Sequence, residues 1–197
     1  MLDPAAVAAK AVVRRRLLAH RRDLPAEEGR AAAEAVAGTL VRALEGVRTL
    51  AAFVPDPTEP GYGRLPAALG ALGARVLLPV IPTVGRELDW AVDTGHLVPG
   101  RFGLMEPVGP RLSPDALGAA DVVVVPALAV DRAGIRLGRG GGYYDTSLVH
   151  ARPDAVLVAL LFDGERVEEL PAEAHDRPVT AVVTPSGGWE ELPGRGR

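Results

Sequence analysis

The spacing of apolar and polar residues changes period along this chain, and each change marks an element. Asp3-Pro4 pairs an N-cap residue with a proline suited to the first helical turn. It opens a helix to about Arg22 in which Val7, Val13, Leu17 and Leu18 are available to face a core. A second, Ala-rich helix spans Pro25–Leu44, with Val36, Leu40 and Leu44 at helical spacing. Thr49–Val54 then reads as a buried strand ended by Pro55 and Pro57. A short helix around Arg64–Leu72 and a strand over Arg75–Leu78, closed by Pro79, follow. Asp121-Val122-Val123-Val124-Val125-Pro126 is a β-branched run of the kind buried on both faces of a parallel sheet. After a helix near Tyr143–His150, Ala155–Phe162 and Val179–Thr184 supply further strands. Strand alternating with helix predicts an α/β fold with a mostly parallel central sheet.

The stretch from Ile81 to Pro114 is broken by Pro82, Pro99, Pro107 and Pro110. Strands near Leu88–Val92 and Phe102–Leu104 would make it a small antiparallel insertion or edge. Residues 1–184 read as a single domain without internal repeats. The tail over 185–197, with Gly187, Gly188, Gly194 and Gly196, is expected to fray.

Composition narrows the classes of function. The chain has 197 residues, 48% hydrophobic and 24% charged, enough to bury a core. No run approaches the roughly 18 apolar residues of a membrane span, so no membrane association is expected. Cysteine is absent, which excludes disulfides, thiolate metal sites and a cysteine nucleophile. His20, His96, His150 and His175 are scattered at spacings that build no zinc site. A net charge of −3 provides no global field for nucleic acid. The first 22 residues depart from this average, with Lys10, Arg14, Arg15, Arg16, Arg21 and Arg22 against Asp3 alone. Such a start can accompany organelle import, but it lacks serine and continues as an integral helix, which favours the cytoplasm. No aromatic precedes Phe53 to stack on bases, so a solvated face is a better reading than a nucleic-acid arm.

Lys10 is the sole lysine, against 21 arginines. A compact ammonium that survives so strong a bias suits a phosphate met as a point charge, although chance survival explains it equally well. Arg14 lies one turn further on the same helix face.

The densest chemistry lies in Gly134-Ile135-Arg136-Leu137-Gly138-Arg139-Gly140-Gly141-Gly142-Tyr143-Tyr144-Asp145, expected to leave the carboxyl end of the central strand, where α/β sheets collect ligands. Glycines allow successive N–H groups to turn toward one anion, and arginines add fixed charge. Asp145 is placed to hold a Mg²⁺ that bridges phosphate oxygens. A flexible turn is the duller alternative. The Walker pattern is absent, because no Gly-Lys pair occurs. A dinucleotide fingerprint would use Gly138, Gly140 and Asp163, but its third glycine would be Tyr143. Tyr143 and Tyr144, two of only eight aromatics, suggest contact with a flat ligand.

This segment, extended back through Pro126-Ala127-Leu128-Ala129-Val130-Asp131, resembles the signature of the 5-formyltetrahydrofolate cyclo-ligase (5,10-methenyltetrahydrofolate synthetase) family. Lys10 with Arg14, Glu59, Phe102-Gly103-Leu104-Met105-Glu106-Pro107 and Leu170–Asp176 match in order across nearly the whole chain. Ala127 stands where the family has glycine and Val130 where it has phenylalanine, which would alter the packing behind the loop or one face of the folate pocket.

The resemblance implies a three-layer α/β sandwich shared with phosphosugar isomerases and CoA transferases. It also implies an ATP- and Mg²⁺-dependent carbon–nitrogen ligase that closes 5-formyltetrahydrofolate to 5,10-methenyltetrahydrofolate. Carried over by position, Lys10, Arg14 and Arg136 through Tyr144 (Leu137, Gly138, Arg139, Gly140, Gly141, Gly142 and Tyr143 between them) would bind ATP. Arg139 and Tyr143 would sit at the reacting groups, Glu59 and Val54 with them against folate, and Asp145 and Asp176 on Mg²⁺. Read as lone residues, Glu59 would be a solvated loop carboxylate, Asp176 a turn cap and Asp145 an early-turn carboxylate of its helix. The expected partners are small molecules only, on a monomer. The rival reading on the same fold is a nucleotide- or sugar-phosphate-binding sensor without catalysis.

Overall fold

The computed structural model describes residues 4–172 and 176–193, with side chains from Ala6 onward. Helix α1 (Pro4–Asp23) is followed by α2 (Ala26–Ala43), strand β1 (Thr49–Ala51), α3 (Leu65–Gly70), β2 (Arg75–Val80) and β3 (Asp89–Val92). A hairpin of β4 (Leu97–Pro99) and β5 (Met105–Pro107) precedes β6 (Val122–Pro126). A second hairpin, β7 (Ala129–Val130) and β8 (Arg136–Leu137), leads to α4 (Tyr143–Ser147), β9 (Val156–Leu160), β10 (Ala181–Thr184) and β11 (Gly188–Glu191). Asp3, proposed as an N-cap, lies outside the described residues, as do Glu173, Ala174, His175 and 194–197.

Seven strands form one sheet in the order β11-β10-β9-β6-β1-β2-β3, parallel except for the two edges. The uniform apolarity of the central strands follows from their position between two cores. Val122 and Val124 of β6, with Val158 and Leu160 of β9, face Val36, Leu40, Leu65 and Leu69 of α2 and α3. Val123 and Val125, with Leu157 and Ala159, face Trp90, Leu117 and Leu148 on the other side. Alternate residues thus feed opposite layers, and neither face tolerates a polar side chain. Charges at the ends of α2 suit its dipole, Glu27 and Glu28 in the first turn and Arg42 in the last.

Helix α1 docks differently. Leu17 packs with Ile135, Leu137 and Leu170 in a small third core, Val13 and Leu18 lying against it. The Arg21 guanidinium is buried, donating to Glu165 Oε1 and Oε2 at 2.7 and 2.6 Å and to the Ala127 carbonyl at 2.7 Å. Lys10, Arg14, Leu17 and Arg21, spaced four, three and four apart, form one stripe down the helix. Val7, expected to face the core, is 45% exposed.

Other departures have local causes. Pro79 lies inside β2 instead of closing it. Its partner Trp90 exchanges both backbone bonds with Leu112, so Pro79 needs no N–H toward Trp90. Residues 101–103 form a 3₁₀ turn with Phe102 at φ 58°, and the strand expected at Phe102–Leu104 is displaced to Met105–Pro107. The antiparallel edge is present, as β3. The tail expected to fray from Pro185 turns back instead, pairing Gly188–Glu191 with β10. Finally, the glycine loop does not leave β6 directly, because the β7–β8 hairpin intervenes. Buried Asp131 holds that hairpin, accepting from the N–H groups of Ala133, Ile135 and Leu170 at 2.9, 2.9 and 3.0 Å.

Candidate functional site

From β1 the chain runs outward one way to β2 and later the other way through β6 and β9. The carboxyl ends of β1 and β6 therefore flank a topological switch point, where α/β sheets bind ligands. A cleft of about 390 Å³ opens there. Every site residue implied by the family resemblance lines it: Lys10 and Arg14 from α1, Val54 and Glu59 after β1, Arg136 through Asp145, and Asp176. Asp163, needed by a dinucleotide fingerprint, instead accepts from Ser186 N–H and Oγ.

The glycines build one wall. Gly140 and Gly142 adopt φ of 99° and 74°, which turns the backbone sharply into α4. Arg14 Nε donates to the Gly138 carbonyl at 2.9 Å, and a Cβ on Gly140 would lie 3.5 Å from its guanidinium carbon. At Gly138 a Cβ would meet nothing within 4 Å among the described residues. Protein packing therefore does not demand that glycine, and bare backbone is left facing the cleft.

Charge concentrates beside this wall. The Arg136 side chain is 4% exposed; it donates to Asp145 and, at 3.2 Å, to the Arg177 carbonyl. Burial lowers its pKa, opposed by Asp145 and Asp176. Lys10 Nζ lies 3.4 Å from Asp176 Oδ2. Each proposed metal carboxylate thus contacts a cation. Among the described residues no group of three or more His, Cys, Asp or Glu could form a protein-only metal cage. Two carboxylates at a phosphate-suited wall fit Mg²⁺, which commonly completes its shell with phosphate oxygens and water.

Opposite lies an acidic and apolar chamber. Glu59, expected as a solvated loop residue on its own merits, is 9% exposed. Burial raises its pKa, with neighbouring Asp56 adding to the effect and Arg139 opposing it. The Tyr144 hydroxyl is buried and has no hydrogen-bond partner among the described residues. Burial, with Glu59 adding, pushes that phenol well above its ordinary range, so it stays a neutral donor. Tyr143 packs at the edge of the sheet core, and its carbonyl accepts from Ser147 Oγ at 2.7 Å. Phe53, Ile81, Leu88, Phe102, Leu104 and Met105 supply the apolar lining. The β4–β5 hairpin is tied to this side by Ile81 N–H donating to Glu106 Oε1 at 3.0 Å and by Arg101 donating to the Pro82 carbonyl. A Cβ on Gly100 would lie 2.4 Å from Glu106 Cδ, so a larger residue there would push the Glu106 carboxylate off Ile81.

Arg139 bridges the two walls, donating to Glu59 Oε1 at 3.2 Å and Thr58 Oγ1 at 2.6 Å and pairing with Asp56 Oδ2 at 2.8 Å. Asp56 and Thr58 escaped sequence reasoning, which took this stretch as a strand end between prolines; the only signal was their closeness to Glu59. Of the two departures from the family signature, Val130 is wholly buried in the sheet core and away from the cleft, whereas Ala127 lines the cleft.

Known proteins place this architecture. A profile of the 5-formyltetrahydrofolate cyclo-ligase family matches residues 6–185. A 5-formyltetrahydrofolate cyclo-ligase of Mycolicibacterium smegmatis is 45% identical over 184 residues, covering 91% of this chain and 95% of the relative. The Escherichia coli enzyme of that name is 36% identical over 148 residues, 72% and 80% of the two chains. The NMR structure of Aquifex aeolicus 5,10-methenyltetrahydrofolate synthetase superposes with a TM-score of 0.76 at 30% identity, covering 95% of each chain. A family profile spanning residues 6–185, a relative 45% identical along 95% of its length and a solved structure of the same overall fold agree, and the chain belongs to the 5-formyltetrahydrofolate cyclo-ligase family.

Proposed function

We propose that this protein converts 5-formyltetrahydrofolate to 5,10-methenyltetrahydrofolate with consumption of ATP and release of ADP and phosphate. One observation supports this reading above the others: a glycine-and-arginine wall and an acidic, apolar chamber share one cleft, with Arg139 between them. Lys10, Arg14 and the backbone from Arg136 to Tyr144 hold the triphosphate. Glu59 accepts from the N–H edge of the pterin beside Val54.

Asp145 and Asp176 hold Mg²⁺, which when bound neutralises phosphate charge. The folate supplies its own nucleophile, because the formyl oxygen attacks the γ-phosphate and N10 then closes the ring as phosphate leaves. What the protein contributes is position and charge. Arg139 counters charge that spreads over the transferring phosphoryl oxygens, and Tyr143 stands against the formyl group.

Appearance of the methenyl chromophore in a mixture of protein, ATP, Mg²⁺ and 5-formyltetrahydrofolate is the test, with ATP and Mg²⁺ each omitted in turn as controls. Nucleotide binding by calorimetry without any methenyl product would replace this reading with that of a sensor.

A further inference from the structure

Arg139 stands where the two halves of the cleft meet, and a freely rotating guanidinium there would have to be ordered anew at every turnover. The turn after β1 removes that freedom. Asp56 Oδ1 accepts from the Thr58 N–H at 2.8 Å and from its hydroxyl at 2.7 Å. Asp56 N–H donates to Glu59 Oε2 at 3.0 Å, and Glu59 N–H returns a bond to the Asp56 carbonyl at 2.9 Å. A turn fixed in this way presents three oxygens to one guanidinium: Glu59 Oε1 on Nε, and Thr58 Oγ1 and Asp56 Oδ2 on Nη2. Thr58 can serve because its own proton is committed to Asp56 Oδ1, which leaves a lone pair for the arginine.

A guanidinium carries five N–H bonds in a rigid plane. Here its Nε–Nη2 edge is held, and the Nη1 donors have no acceptor among the described residues, while the side chain remains 40% exposed. We propose that Asp56 and Thr58 are positioning residues for Arg139, which clamp its Nε–Nη2 edge to the first-strand turn so that the Nη1 edge faces the reacting phosphate. The inference rests on the cyclo-ligase reading for what Arg139 meets. The clamp itself rests on the geometry alone. Within one stretch Glu59 shares its carboxylate between the arginine and the ligand, while Asp56 and Thr58 serve the arginine alone.

Two variants and a rescue test it. Thr58→Val removes the hydroxyl at nearly constant volume, and Asp56→Asn removes the charge. Each should lower kcat on the order of tenfold, as expected for losing one hydrogen bond to a charged group, with KM for both substrates within about twofold. Thr58→Ser, which restores the hydroxyl, should return kcat to the wild-type level. In an Arg139→Ala background Thr58→Val should have no further effect, because its target is gone.

A second readout needs no turnover. The Arg139 Nε–H resonance, identified in ¹⁵N spectra by its loss in Arg139→Ala, should be protected from solvent exchange in the wild-type protein and exchange faster in Thr58→Val, where one of the two Nη2 contacts that hold the guanidinium against Glu59 Oε1 is lost. Unchanged kcat in Thr58→Val, an undiminished effect in the Arg139→Ala background, or free exchange of the wild-type Nε–H would each overturn the clamp. A protected Nε–H in a protein that forms no methenyl product would instead refute the proposed reaction and support the clamp.

Discussion

Gly138→Ala is the sharpest probe of the phosphate wall, because nothing among the described residues opposes it. The added methyl meets no described atom within 4 Å, and the residue is not among those with positive φ. Replacing glycine by alanine where the backbone permits it stabilises by about 0.4–1 kcal/mol, by restricting the unfolded chain. The apparent melting temperature should therefore hold or rise slightly. If bare backbone here receives the triphosphate, the methyl holds phosphate oxygens off the neighbouring N–H groups. Losing one charge-assisted hydrogen bond costs roughly 1.5–3 kcal/mol, about a tenfold to hundredfold weakening. Calorimetric titration with Mg-ATP reads that loss directly, and differential scanning calorimetry of the same sample reads stability. Gly140→Ala serves as the contrast, since φ of 99° strains any side chain by about 1–2 kcal/mol and should lower stability as well as binding. Wild-type nucleotide affinity in a stable Gly138→Ala protein would refute the cradle.

Two further outcomes follow from the charges. Because the pKa of Glu59 is raised in the folded protein, the stability it contributes is present below its unfolded value and lost as pH rises through the folded one. Glu59→Gln does not titrate there, so its melting temperature should gain on wild type between pH 4 and pH 7 while methenyl formation falls; a pH-independent difference would contradict the burial argument. Arg21→Met should destabilise by roughly 3–5 kcal/mol in urea titrations, because it strands Glu165 without its cation. Arg21→Met with Glu165→Gln, which can still accept from Phe162 N–H, should recover most of that loss; no recovery would mean that the guanidinium acts through packing.

The central strands were legible because burial on both faces leaves no room for polar residues, so Val122–Val125 and Leu157–Leu160 announce themselves. Residues of the cleft were legible where chemistry outran structural need, as in the glycine run. The β7–β8 hairpin was not, since strands of two residues have no period to detect and depend on Asp131 reaching Leu170, 39 positions away. Strand β11 was hidden because an exposed edge can use Gly-Trp-Glu-Glu, a composition shared with loops. Pro79 misled because its missing donor matters only if the partner strand asks for it. Around Glu59, sequence offered a polar stretch between prolines; its burial depends on α-layer and loop packing that no local pattern encodes.

Helix α1 carries a consequence for how this chain can vary in length. Its cations at Lys10 and Arg14 and its anchors at Leu17 and Arg21 occupy one stripe, so the helix works as a ruler whose phase is fixed at the anchored end. Adding or removing a single residue between Arg14 and Leu17 would swing both cations about 100° around the axis, away from the triphosphate, while Leu17 and Arg21 stayed anchored and only Val13 among the packed residues of α1 moved with the cations. Indels in that segment are therefore opposed chiefly on catalytic grounds, whereas the exposed residues 83–85 can change in length without touching the cleft.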